Sequence, residues 1–582
     1  MRASVAMSLE SFSRSCASGS VGPRLVEPMT FRKCSVALLT FALASAVLQR
    51  GDAQAPQPVE VQVLAINDFH GNLEPPGGTN GLINTTLAGG AEYLATHLKN
   101  AVRENPNSIV VAAGDLIGAS PLLSGLFHDG PTIEAANAMG LALTSIGNHE
   151  LDHGISQFTR VLEGGCLKEN SCADGEISAA ARFRYLAANM VREGTGELVL
   201  PAIEVRTTGG VKIGFIGETL LGTPQMLTAS STRGLRFLEE SAAANAAAAK
   251  LEKEGVRAIV LLIHQGGRQG PSDAPADPNG CANFSGPIIG IAERLSPSIK
   301  VVISGHSHQF YNCNIAGHIV TSASSYGRMY TRVRLTIDAA TGAVLNAAAK
   351  NEIVSRDVPK SPEQTAIIAR FLPEAERLTR RMTGSIAAAI LSTDNAAGES
   401  ALGDVIADAQ LASMRAPEKG GGQIAFMNSG GIRADIDSTA ATGRTVSFGD
   451  LYAVQPFGNR LMVVTMTGES LRRLLEEQFR PGGRKMILQV SEGFRYEYKL
   501  NAAERSHVVP GSITLNSKPI GAADEVRVIA SDFLISGGGG YPALSEGRNA
   551  IIGPTDIDAL VEYFATHSPV SPGPKNRIVP VD

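Results

Sequence analysis

Val61-Gln62-Val63-Leu64-Ala65-Ile66-Asn67-Asp68-Phe69-His70-Gly71 opens on an apolar, β-rich run and stops at a carboxylate and an imidazole. Buried strands of a layered sheet read this way, and α/β folds place ligands where such strands end in glycine-bearing loops. The same grammar recurs along the chain. Ser108-Ile109-Val110-Val111 leads to Gly114-Asp115, Ala258 through Ile263 precedes His264, and Val301-Val302-Ile303 leads to Gly305-His306-Ser307-His308. Gly147-Asn148-His149-Glu150 adds an amide beside a histidine.

A single member of this set reads as a polar turn or a satisfied core histidine. Five in this order, each at a strand end, point to one chemistry. Hydrolysing a phosphate ester at neutral pH requires a hydroxide-like nucleophile and cations that neutralise charge building on the phosphoryl oxygens, which two divalent ions supply together. Mixed carboxylate, imidazole and amide ligands suit manganese, iron, zinc or cobalt.

The segments resemble those of the bacterial 5′-nucleotidase family, which includes UDP-sugar hydrolases and 2′,3′-cyclic-nucleotide phosphodiesterases. The resemblance covers nearly everything after the first 55 residues. It implies a four-layer αββα metallophosphoesterase sandwich followed by an α/β 5′-nucleotidase C-terminal domain. It assigns Asp68, His70 and His308 to one metal, Asn148, His264 and His306 to the other, and Asp115 to the bridge. It makes His149 a catalytic group outside the ligand set, oriented by Asp152. A carboxylate hydrogen-bonded to the imidazole favours the protonated form wanted beside a phosphate. A helix-start role for Asp152 is the alternative.

With 582 residues, 43% of them hydrophobic, the chain can bury two substantial cores. Arg32-Lys33, the apolar run Ser35 to Leu48 and Ala53-Gln54-Ala55 read as a signal peptide with its cleavage site, and Met29 as the true start. Export to the periplasm or beyond follows. Losing residues 1–55 removes six basic and three acidic side chains and moves the formal charge from −5 to −8, which disfavours nucleic acid or anionic membranes as partners. Four cysteines then remain. The expected pairs are Cys166–Cys172 and Cys281–Cys313, with zinc binding as the alternative.

The first domain is expected over 56–355, a helical linker over 356–382 starting at Ser361-Pro362-Glu363, and the substrate domain over 383–582. In the last, Asn428, Gly430 and Arg433 of Asn428-Ser429-Gly430-Gly431-Ile432-Arg433 can offer backbone amides and a guanidinium to an anion. Phe457 and Phe533 stand at family positions for a clamp around a base. Two departures weaken the nucleotide grip: Gly398 stands where relatives carry a phosphate-binding arginine, leaving Arg444 or Arg460 to substitute, and Gly539 stands where they carry a ribose-binding aspartate.

The chain therefore reads as an exported two-metal phosphohydrolase that releases phosphate from nucleotides by metal-hydroxide attack on phosphorus. The alternatives are cleavage of cyclic nucleotides or nucleotide-sugar diphosphates, a sulfur-oxidation thiohydrolase, and a non-catalytic binding protein. The partner expected is a small phosphoester; no membrane-spanning segment is read, and the oligomeric state is open.

Overall fold

The computed structural model describes residues 57–165, 179–228, 230–270, 276–437, 445–480 and 485–581. The leader with Met29, Cys166, Cys172 and Arg444 lie outside them. Residues from Pro56 on form one compact unit.

Two six-stranded sheets build its first part. One runs Val344–Ile353, Met329–Ile337, Val59–Ile66, Ser108–Ala113, Leu141–Ser145, Arg184–Leu186, parallel from Val59–Ile66 onward. The other runs Phe310–Ile315, His318–Ala323, Ile299–Ser304, Ala258–His264, Val211–Thr219, Ile203–Thr208, with a parallel centre. Strand alternation sends Val61, Val63 and Ala65 inward against Phe215, Val260 and Val301 of the facing sheet. Their alternates face helices. Leu64 and Ile66 meet the helices Ala91–Glu104, Gly130–Ala138 and Gly154–Glu163, while Ile259 and Leu261 meet Glu240–Lys253 and Ile288–Ala292. Both faces of these strands are thus buried, which is why their sequences are continuous apolar runs. The result is the expected four-layer sandwich.

The helix at Ser361-Pro362-Glu363 forms as Pro362–Thr379, and one detail differs from expectation. It ends short of Met382, which begins the strand Met382–Ser385 paired with Thr445–Ser447. One face of it also packs on the sandwich: Ile368, Phe371 and Ala375 are buried in the first sheet's outer core and Phe371 meets Phe127 at 4.9 Å. Its charged residues, such as Glu374, Arg377 and Arg380, occupy the other face.

The remaining chain folds on a five-stranded sheet ordered Leu488–Val490, Ile424–Asn428, Glu525–Ser531, Arg460–Thr467, Arg548–Thr555. Its cores draw on residues 386–578, apart from those of the sandwich. Cys281 and Cys313 lie with Cα atoms 5.2 Å apart and their sulfurs at bonding distance, the pairing expected. Among the described residues no helix is long and apolar enough to cross a membrane.

Candidate active site

The parallel strands of both sheets end at one edge, and there the polar residues meet. Asp68, Asp115 and His306 follow their strands by two residues, and His264 is the last residue of its own. Backbone hydrogen bonds carry the sheet pairing into the loops, with the amides of Asp68 and His70 donating to Gly114 and Asp115 oxygens. Asp68, His70, Asp115, His306 and His308 all have φ between 48° and 67°, a region L-residues rarely enter. Such strain persists only where the surroundings impose it, as at functional sites.

Six of the expected ligands form two groups, Asp68 with His70 and His308, and Asp115 with His264 and His306, whose ligating atoms lie within 4.8 Å of one another in each group. Asn148 joins the second through Oδ1, 3.1 Å from His306 Nδ1. Asp115 Oδ2 lies 2.9 Å from His264 Nε2 and 3.6 Å from His70 Nε2, so it spans both groups. Gly147 is what lets that carboxylate in: a Cβ there would stand 2.1 Å from Asp115 Oδ1.

The donor set fits a pair of cations. His70 Nδ1 and His264 Nδ1 each lie 2.8 Å from a backbone carbonyl, of Gly118 and Ala113, and therefore donate to it. That turns both Nε2 atoms inward. His70 Nε2 then faces His308 Nε2 at 3.0 Å, and buried His264 Nε2 faces Asp115 Oδ2 without hydrogen-bond geometry. Imidazole nitrogens and carboxylate oxygens that converge this closely are a natural arrangement around metal ions.

Protonation follows the same crowding. Burial opposes charge on His264, yet Asp115 and Asp68 lift it to about 10, so a proton stands in for a cation there. Burial pushes Asp68 up to about 7. Asp115, also pushed up by burial, is held well below the usual carboxylate range by His264, His149 and His70. Burial drives His70 and His308 well down.

His149 lies just outside the two groups, 14% exposed. Its Nδ1 is 2.8 Å from Asp152 Oδ2, and its backbone amide donates to Asp115 Oδ1. Burial works against its charge, but Asp152 and Asp115 prevail and raise its pKa above the ordinary histidine value. Asp152 follows the one-turn helix His149–Leu151 and turns its carboxylate back to the imidazole, so it is no N-cap.

Sequence reasoning passed over three residues here. Buried Glu150 accepts from the amides of Asp115, Leu116 and Gly147 and so ties two ligand loops together. Asn67 donates to Asp68 Oδ2 at 2.7 Å. Tyr326 packs edge-on against both His70 and His308. Only Glu150 and Asn67 carried a signal, their adjacency to ligands.

Of the expected substrate residues, Asn428 ends its strand, Gly430 lies in the following turn, and Arg433 reaches back to Gly430 O at 3.4 Å. The Arg433 charge acts on His70, His149 and His308, which puts it at the same centre, and its Nη2 is buried without a hydrogen-bond partner. Phe457 stacks on His149 with centroids 5.8 Å apart. Phe533 is partly buried against the second part's own core. Gly398 adopts φ +86°, and a Cβ there would sit 2.7 Å from Ile487, so this backbone has no room for an arginine. Arg460 is exposed beside Asp532.

Comparison with known proteins identifies both parts of the fold. Residues 61–310 match the calcineurin-like phosphoesterase family model and residues 382–546 that of the 5′-nucleotidase C-terminal domain. The cell wall protein Lmo0130 of Listeria monocytogenes is 30% identical over 91% of this chain and 70% of its own length. The endonuclease YhcR of Bacillus subtilis is also 30% identical, over 92% of this chain, which spans only 43% of that protein. The crystal structure of the Thermus thermophilus 5′-nucleotidase precursor superposes with a TM-score of 0.72 at 23% identity, covering 90% of this chain and all of that one. Sandwich, C-terminal domain and their order along the chain thus agree, and the protein belongs to the 5′-nucleotidase family of metal-dependent phosphoesterases.

Proposed function

We propose that the protein is an exported hydrolase that releases phosphate from nucleotides, working as two domains. The observation that carries this is the meeting of Arg433 and Phe457 with His149 beside two groups of metal-ligating side chains. Asp68, His70 and His308 would hold one divalent ion, and Asn148, His264 and His306 the other, with Asp115 shared. When bound, such a pair supplies Lewis acidity toward phosphoryl oxygens and a nucleophile from water at neutral pH. Around it, Arg433 and the Asn428–Gly430 turn bind the phosphate. His149, held by Asp152, gives its Nε2 proton to the leaving oxygen.

Export is supported by the leader-like N-terminus, by the Cys281–Cys313 pairing and by a relative named as a cell wall protein. Gly398 and Gly539 leave fewer groups for a nucleoside monophosphate, and one relative is named an endonuclease, so cleavage of phosphodiesters is the second reading.

The test strips residues 56–582 of metal, restores manganese, zinc or cobalt, and follows phosphate release from AMP, UMP formation from UDP-glucose, ring opening of 2′,3′-cyclic AMP to a monoester, and p-nitrophenol release from bis(p-nitrophenyl) phosphate. Metal-dependent release from AMP, cut by about 10²–10⁴ in His149→Ala, is expected. Turnover of the diesters alone favours the second reading, and silence on all four overturns both.

A further inference from the structure

Phe457 is read above as a platform for a nucleobase, yet in the structure its ring lies on a histidine. The Phe457 and His149 rings are stacked, 5.8 Å between centroids and 26° apart, and the Arg433 guanidinium covers Phe457 at 5.7 Å. His149 thus has two supports: Asp152 in its plane, from its own loop, and Phe457 on its face, from the other end of the chain.

The position of Phe457 is built rather than incidental. Ser447 and Asp450 form a capping box that starts the helix Phe448–Val454. That helix packs on the helix Pro362–Thr379 and on Leu122–Gly125 of the sandwich, and the Phe448 amide donates to Arg381 O. Its last turn runs into buried Gln455 and then Phe457, while the Arg433 amide donates to Val454 O and ties the Asn428–Arg433 loop to the same joint.

We infer that Phe457 is a positioning residue for His149: by stacking on the imidazole it holds the proton-donating edge in line, so that the acid is competent only when the second domain is docked. This rests on the reading of His149 as the acid, and goes beyond a base-stacking role because it requires no base in the substrate. Proton donation matters most when the leaving oxygen is strongly basic, so the effect of losing the support must follow the leaving group.

The experiment measures kcat and KM of the metal-loaded enzyme for AMP, phenyl phosphate and p-nitrophenyl phosphate in Phe457→Ala, Phe457→Leu, Phe457→Tyr, His149→Ala and the double variant His149→Ala/Phe457→Ala. Phe457→Ala should lower kcat roughly 10- to 100-fold on phenyl phosphate and AMP while largely sparing p-nitrophenyl phosphate. The double variant should be no slower than His149→Ala, since Phe457 acts through that residue. Tyrosine should restore the rate and leucine should not, which keeps the test valid if alanine unfolds the joint. In metal-free protein, the His149 ring-proton resonances should shift in the leucine variant but not in the tyrosine one.

A loss confined to KM for AMP, with phenyl phosphate untouched, overturns the inference and leaves Phe457 a base platform. Multiplicative losses in the double variant overturn it as well. If His149→Ala itself is without effect, the reading of the acid fails and this inference fails with it.

Discussion

At the scale of single residues the site is a set of opposed charges and lone pairs, and its side chains are answerable one at a time. Asp152 is one of the groups that keep His149 above the ordinary histidine pKa against the pull of burial. Asp152→Asn removes a negative charge 2.8 Å from Nδ1, so His149 should titrate at lower pH. NMR titration of metal-free protein reads this directly; an unchanged or higher midpoint would sink the orienting role. Glu150 predicts a different effect. Its carboxylate accepts from three amides on two ligand loops, whereas a glutamine would offer one of them a donor. Glu150→Gln should weaken metal binding by about 10- to 100-fold, measured by calorimetry on stripped protein, with the circular dichroism spectrum retained. Most of the candidate ligands were legible in the sequence because they follow a recognisable strand, so position along the chain fixed position in space. Glu150 was not, because its work is done on backbone amides whose meeting depends on the folded loops. Phe533, read as a clamp from its family position, is partly buried against the second part's core.

At the scale of elements, strands were easier to read than the helix that follows them. Runs such as Ala258–His264 are apolar on both faces and admit little ambiguity, whereas Pro362–Thr379 alternates charges with apolar residues at helical spacing. Its burial depends on finding Phe127 and the sandwich's outer core beneath it, which lie far off in sequence. Phe371, 5% exposed, decides between the two descriptions. Phe371→Ala should cost about 3–5 kcal/mol if the helix is part of the core and under about 0.5 if it is a solvated linker, read from urea midpoints. The helix Asp556–His567 carries a titrating start. Asp556 is 3% exposed, accepts from the Ile557 amide and Asn459 Nδ2, and is pushed by burial to about 7 from 3.8. Between those values the folded state holds a proton that the unfolded chain has lost, so stability falls as pH climbs through this window. Asp556→Asn removes that dependence. The stability of the wild type relative to the variant should therefore shrink between roughly pH 4 and pH 7.

At the scale of the whole molecule, the metal groups couple both sheets to anything that binds them. Asp68 and His70 come from one sheet and His264, His306 and His308 from the other, so an ion held by such ligands ties the two layers at the edge where the strands end. Without it, the edge retains the close approach of His70 Nε2 and His308 Nε2 at 3.0 Å and five residues with unfavourable φ. A cation that binds only the folded chain adds about 2.7 kcal/mol at a free concentration one hundred times its Kd. Calorimetric unfolding of stripped protein should therefore move to higher temperature on adding manganese or zinc. The increment also has a pH signature. Burial pushes the Asp68 carboxyl up to about 7, so below that value a proton occupies the oxygen a metal needs. The metal-dependent part of the stability should grow as pH rises through about 7 and shrink as it falls. A midpoint that ignores added metal at every pH would mean that these side chains do not hold ions, whatever their spacing.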